Sequence, residues 1–184
     1  KKYLKLKTVV CFVHHLEEKD YSGNSLKEFH KRDKYVDFYH TISEKSKIEI
    51  QKLTSKKIVS IPFWINEDIF FPIKNKSNLR SKYNIQENSF IIGSFQRDTE
   101  GKDLKSPKLI KGPDRFVEIV KSFTLNNENL VVLLSGYRRQ YVIKKLEEQN
   151  INYIYVEMVD FEILNELYNC LDLYIVSSRI EGGP

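Results

Sequence analysis

From Ser89 onward, short aliphatic and β-branched runs alternate with stretches whose apolar residues recur every three or four positions. The runs cover residues 89–95, 129–135, 153–158 and 172–178. Between them, helical spacing groups Phe116, Val117, Ile119 and Val120 within 113–123, where Pro113 suits the first turn. Gly136 breaks one strand, and 137–149 predicts a second helix. Asp160 can cap a third, with Ile163, Leu164 and Leu167 on one face. The order is β-α-β-α-β-α-β. Strands joined through helices pair in parallel, so the predicted fold class is α/β with a doubly wound sheet.

The first sixty residues read as the tail of another α/β unit. Strands are predicted over 8–13, 36–42 and 57–61, the last closed by Pro62. Ser43 caps a helix that carries Ile48, Ile50 and Leu53. Residues 16–34 are polar, contain the turn signal Ser22-Gly23-Asn24, and suggest no regular element. Residues 62–88, with Pro72, Asn75 and Ser77, read as a connector with a short helix near 79–83. No tandem repeat or low-complexity tract is visible.

Hydrophobic residues make up 41% of the chain, enough for a core, and no apolar run approaches a membrane span. Cys11 and Cys170 lie far apart in apolar segments and are expected to be free, buried thiols in a reducing cytosol. Four histidines without a Cys/His cluster give no support for a zinc site. Residues 1–60 hold fourteen Lys and Arg against eight Asp and Glu, whereas 61–184 hold sixteen against seventeen. The basic surplus fits either a solvated lysine-rich face or contact with an anionic membrane or nucleic acid.

Three segments carry candidate ligands. Gly93-Ser94-Phe95-Gln96-Arg97 runs from a strand into a long polar loop over 96–111, Lys111-Gly112 precedes a helix, and Glu181-Gly182-Gly183-Pro184 follows the last strand. In a parallel sheet all three open toward one edge, where such folds bind ligands. Two cations, glycine N–H groups and one carboxylate match a nucleoside diphosphate joined to a hydroxyl-rich group. The chain stops at this turn, so it is expected to be a fragment cut through its own site.

The ordered segments resemble family-four glycosyltransferases of the retaining GT-B type. Ile61-Pro62, Asn66 and Phe70-Phe71-Pro72 are similar to that family's linker. Ile92 to Arg97, then Lys111-Gly112-Pro113-Asp114, look like its phosphate-binding arginine and lysine. Leu133-Leu134-Ser135-Gly136 and the residues from Asp160 to Tyr168 resemble its next strand and helix, and Ser177 to Pro184 the opening of its Glu-x7-Glu signature. The resemblance departs in two places. Thirteen residues separate Arg97 from Lys111, including Lys102, Lys105 and Lys108, and Trp64 replaces the linker's usual glycine. That tryptophan is expected to be a hydrophobic anchor for the linker, or alternatively to pack against the opposite domain or the donor.

The resemblance implies two incomplete Rossmann-like domains: residues 1–73, the end of an acceptor-side domain plus linker, and 74–184, the start of a nucleotide-sugar-binding domain. It implies transfer of a sugar from a UDP-, GDP- or ADP-sugar to a glycan, lipid-linked or small-molecule acceptor hydroxyl, with retention. No metal and no cofactor beyond the donor is expected. Arg97 and Lys111 would neutralise the departing diphosphate, and Glu181 would hold sugar hydroxyls, with Gly182 and Gly183 offering N–H groups. His14, or alternatively His15, would face the donor sugar. Gly136 would lie near ribose and phosphate, and Met158 and Val159 would frame the base or simply pack. A cytoplasmic protein, peripheral to an anionic membrane face through its basic amino-terminal part and without a nucleic-acid partner, is the expected setting. Competing readings are a nucleotide-sugar epimerase, a phosphorylase, or a basic module binding nucleic acid or anionic membrane.

Overall fold

The computed structural model describes residues 7–14, 16–17 and 21–181. The chain forms two compact units that divide between Trp64 and Ile65, with Glu181 grouped with the first.

In the first unit, β1 (Val10–Val13), β2 (Phe38–Thr41) and β3 (Lys57–Ser60) pair in parallel in that order. The connections are α1 (Gly23–Asp33) and α2 (Glu44–Gln51). The Ser43 side chain accepts the Ser46 N–H, as its capping position predicts. Leu16, Phe29, Val36, Tyr39 and Ile50 make the core, with Cys11, Val13 and Ile58 against it. The Tyr39 hydroxyl donates to Asp33 Oδ1 at 2.8 Å, so this buried aromatic keeps a partner for its polar end.

Helix α1 lies where the sequence suggested no regular element. One side chain, Phe29, is buried from it, and its remaining surface is largely charged or polar, so its apolar period is weak. Cys170 is buried and Cys11 only half-buried, and both are free thiols.

The second unit holds β4 (Phe90–Ser94), β7 (Leu130–Ser135), β8 (Tyr153–Val156) and β9 (Leu173–Tyr174), all parallel, in the order β8-β7-β4-β9. Helices α4 (Pro113–Thr124), α5 (Gln140–Glu148) and α6 (Phe161–Cys170) make the crossovers, and α3 (Lys76–Lys82) precedes the sheet. Side chains alternate across each strand. Ile92, Val132 and Leu134 therefore meet Phe116, Val120, Val142 and Leu146 of α4 and α5. Ile91 and Leu133 instead meet Leu79, Leu167 and Cys170 of α3 and α6. Both faces are covered, which explains why these strands read as nearly continuous apolar runs.

Two expectations about the chain need correction. The strand predicted over 172–178 is regular only at Leu173–Tyr174; bonds from Asp172 N–H to Ile91 O and from Ile175 N–H to Gly93 O flank it, and the chain then turns off the sheet. The stretch 96–111 is not a plain loop, because β5 (Thr99–Glu100) and β6 (Ser106–Pro107) pair within it and a 3-10 turn covers Leu109–Lys111.

The linker is held by α6. Asn165 Oδ1 accepts the Phe71 N–H and Asn169 Oδ1 the Ile73 N–H, four residues apart on one helix face. The Phe70 ring meets Phe161 and Tyr168 edge-on. Trp64 is no anchor: it is 84% exposed, in a stretch without regular structure where Phe63 and Ile65 are also exposed. Phe70 takes the anchoring role because α6 offers it aromatic partners.

One carboxylate ties α3 to the sheet. Asp172 bonds Arg80 Nη2 at 2.6 Å, Lys76 Nζ at 2.8 Å and the Ile91 N–H at 2.8 Å. Arg80 is buried and also donates to the carbonyls of Cys170 and Ser89. Replacing Asp172 by alanine leaves that buried guanidinium without its counter-ion, and the expected loss is about 3 kcal/mol. Denaturant unfolding of the Asp172→Ala variant measures it; a loss near zero would show that the carbonyls alone suffice.

Candidate functional site

The chain leaves β4 through α4 toward β7 and β8, then returns through α6 to β9 on β4's other edge. The winding therefore reverses at β4, and the loops after β4 and β9 diverge at their carboxyl ends. Open α/β sheets bind ligands at such a point.

Three segments meet there. Ser178 Oγ donates to Gln96 Oε1 at 2.8 Å, and its neighbour Ser177 donates through Oγ to the Lys111 carbonyl at 3.1 Å. The Arg179 N–H reaches the Ile110 carbonyl at 2.9 Å. Consecutive residues after β9 thus bind the turn that carries Arg97 on one side and the turn that carries Lys111 on the other. Thirteen intervening residues do not carry the two cations to different edges.

Gly112 makes this approach feasible. Its φ is +62°, and a Cβ there would lie 2.0 Å from the Ser177 carbonyl oxygen. A backbone oxygen cannot swing aside, so only glycine fits. Gly112 also opens α4, whose first turn lacks a side-chain cap from that position. Asp114 supplies negative charge to this turn, where the helix dipole favours it. Arg179 grips Asp114 through both terminal nitrogens, Nη1 to Oδ1 at 2.8 Å and Nη2 to Oδ2 at 2.5 Å. These hydrogen bonds hold the Asp114 carboxyl down at about 2.

The candidate residues divide between the units. Arg97 is exposed, and its Nε donates to the Thr99 carbonyl at 2.9 Å. Lys111 is half-buried at the end of the 3-10 turn. Gly136 has φ +95°, and a Cβ there would lie 3.0 Å from the Phe95 carbonyl, so the turn after β7 closes against the turn after β4. Met158 is exposed just past β8, whereas Val159 packs into the Ile91 core cluster. His14 and Glu181 belong to the first unit, and both are exposed. His14 follows β1 with its ring 5.9 Å from Phe63. His15, Gly182 and Gly183 lie outside the described residues.

Residues that sequence reasoning passed over surround the Arg97 turn. Arg139 is 1% exposed, and its Nε lies 3.0 Å from Asp98 Oδ2, a side chain 4% exposed. Burial pushes the Asp98 carboxyl up and the Arg139 guanidinium down, and each is opposed by the charge of the other. Helical spacing held the clue to Arg139: it stands three and seven residues before the buried Val142 and Leu146 of α5. Asp98, in a loop, carried no such signal.

No protein-family model and no curated protein matches the chain. Among solved structures it is similar to sucrose-phosphate synthase from Thermosynechococcus elongatus, with 16% identity over 95% of this chain and 45% of that one, and a TM-score of 0.70. It is also similar to Anabaena HepE in complex with UDP (14% identity, 97% and 49% of the two chains, TM-score 0.73). OtsA matches at 13% identity over 98% of this chain and 49% of its own, with a TM-score of 0.65. At these identities the likeness shows the fold, which is that of GT-B glycosyltransferases. The chain spans a little under half the length of these structures.

The Asp114–Arg179 grip has a definite pH signature. Because the folded carboxyl is lowered, its stabilisation is complete above the ordinary value of about 3.9 and fades as pH falls through about 2. In Arg179→Ala, a carboxyl-detected NMR titration should move the Asp114 midpoint back toward the ordinary carboxylate range. An unchanged midpoint would mean that the backbone N–H groups of α4, not Arg179, hold it down.

Proposed function

We propose that this chain is part of a retaining glycosyltransferase of the family-four kind, which moves a sugar from a nucleoside diphosphate to an acceptor hydroxyl. The observation that carries the reading is the stitching of the Arg97 and Lys111 turns to the residues after β9, at the point where the sheet reverses its winding. The GT-B fold supports it, and among the structures that share the fold, HepE is in complex with UDP-glucose. A glycan, lipid-linked or small-molecule hydroxyl is the acceptor in this reading, at a cytoplasmic site. No helix among the described residues is long and apolar enough to cross a membrane.

The chemistry follows from the leaving group. As the bond between the anomeric carbon and the β-phosphate oxygen breaks, the electron pair stays on that oxygen and the diphosphate gains charge. Groups fixed in advance to meet this charge lower the barrier, because they interact more strongly with the transition state than with the donor. Arg97 and Lys111 supply that positive charge here. The start of α4 adds its aligned N–H groups behind Gly112. Gly136, in the adjoining turn after β7, leaves room for phosphate and ribose, and the backbone at Met158 and Val159 borders the base. The family resemblance assigns the sugar hydroxyls to His14, or His15, and to Glu181 with the two glycines after it. The set needs no bound metal ion to balance the diphosphate.

The test uses the full-length protein. A thermal-shift panel of UDP-, GDP- and ADP-sugars should raise the unfolding midpoint for the true donor, since a ligand of the folded state stabilises it. With that donor, Arg97→Ala and Lys111→Ala should each lower turnover by about 10²-fold, the usual consequence of losing one preorganised electrostatic contact. Donor affinity should fall less than turnover. Wild-type turnover in both variants would remove the mechanism.

A further inference from the structure

We propose that the buried Asp98–Arg139 ion pair is a positioning device that holds Arg97 at the sheet edge; this rests on the reading of Arg97 as a diphosphate-binding cation. The Arg139 guanidinium spans the base of a short turn. Its Nη2 donates to Ser94 Oγ at 3.2 Å, at the end of β4, while its Nε faces Asp98 Oδ2 at 3.0 Å. Phe95, Gln96 and Arg97 lie between these two anchors. One buried side chain therefore fixes both ends of the turn that presents Arg97.

Asp98 and Thr99 then fasten the far end to α5. Thr99 Oγ1 donates to Asp98 Oδ1 at 2.6 Å and accepts the Tyr141 N–H at 2.8 Å. The Asp98 and Thr99 N–H groups both reach the Arg138 carbonyl, at 3.2 and 3.1 Å. The Asp98 carbonyl accepts the Lys108 N–H at 2.7 Å, which closes the hairpin of β5 and β6 at its base. Thr99 is fully buried, and its carbonyl is the acceptor for Arg97 Nε. The path from the pair to Arg97 is thus continuous: Arg139 to Asp98, Asp98 to Thr99, Thr99 to Arg97.

Stability alone is a poor reason for this arrangement. Two buried charges lose their hydration, and well-packed apolar residues of similar size often do as well. The satisfaction is also incomplete. The 3.0 Å approach is not aligned as a hydrogen bond, and Arg139 Nη1 has no protein partner among the described residues. A guanidinium that reaches Ser94 and Asp98 together fixes the geometry of the turn, which an apolar substitute could not do.

A double-mutant cycle on the full-length protein tests this, read by calorimetric binding of UDP, GDP and ADP. Arg97→Ala should weaken the diphosphate that binds by about tenfold, and Asp98→Asn by a similar factor. In Arg97→Ala, adding Asp98→Asn should cause no further loss, because the cation it positions is gone. Arg139→Lys, which keeps the charge but not the two-point reach, should show the same non-additivity. The thermal midpoint should fall equally on adding Asp98→Asn in either background. Losses in affinity that multiply would overturn the inference, as would failure of both Asp98→Asn and Arg139→Lys to fold. A wild-type protein that binds none of the three diphosphates, or an Arg97→Ala variant that binds as the wild type does, would instead sink the reading of the site.

Discussion

Parallel pairing of β4 on both of its edges is the constraint from which the second unit follows. A parallel neighbour cannot be reached by a tight turn, so each connection must cross a face of the sheet through a helix. With β7 on one edge and β9 on the other, both faces of β4 are covered, and Ile91 and Ile92 are each fully buried on opposite sides. The same pairing decides where the chain can leave a gap. Loops that depart in opposite directions from the ends of β4 and β9 cannot fill the space between them. Into that space the sequence puts a glycine that admits the Ser177 carbonyl, two serines that bridge it, and the turns of Arg97 and Lys111.

Much of this was legible because two periods decide it. Strands β4, β7 and β8 and helices α4 and α6 announce themselves by apolar spacing, and Asp160 caps α6 at the position its residue type suggests, accepting the Ile163 N–H at 2.8 Å. What was illegible has one of two causes. Helix α1 and the hairpin of β5 and β6 bury little, so neither needs an apolar period. Asp98, in a polar loop, and Arg139, at the start of α5, both break the rule that charges lie outside, and a reading by that rule leaves both in solvent. Trp64 fails for the converse reason: a large aromatic is an anchor only where another element supplies a surface, and its neighbours in sequence are exposed. Among the candidate site residues, Arg97 and Lys111 were singled out by their position at strand and helix ends, and the structure brings the turns that carry them to the residues after β9. The set that holds the Arg97 turn depends on contacts between residues as much as forty-five positions apart, which no local pattern encodes.

The long insertion between Arg97 and Lys111 illustrates how topology absorbs sequence length. Closing a longer loop costs little, about 0.6 kcal/mol for each doubling of its length. What matters is where the loop is closed. Here the Asp98 carbonyl takes the Lys108 N–H, and Thr99 pairs with Pro107, so the excess residues are folded off into a hairpin before the chain reaches the 3-10 turn. The two cations thereby keep the same sheet edge that a shorter connection would give them. Lys102 and Lys105 sit on the exposed hairpin and do not compete for that place.

A chain that shares only 13 to 16% of its residues with its structural neighbours can still share their fold, because the fold depends on the period of its apolar residues and on parallel pairing, not on residue identity. The same tolerance means that the fold cannot choose a reaction. A GT-B frame serves an epimerase or a phosphorylase as readily as a transferase. The choice rests on which charges stand at the reversal of the sheet and how firmly they are held. Asp114 and Arg179 are bound to one another beside the start of α4, so their charges largely cancel there. Arg97 is exposed, donates from its guanidinium to a carbonyl that carries no net charge, and stands on a turn that the buried Arg139 side chain touches at Ser94 and Asp98. A cation arranged in this way keeps its positive charge available to an anion that arrives at the edge, which is what a departing diphosphate requires.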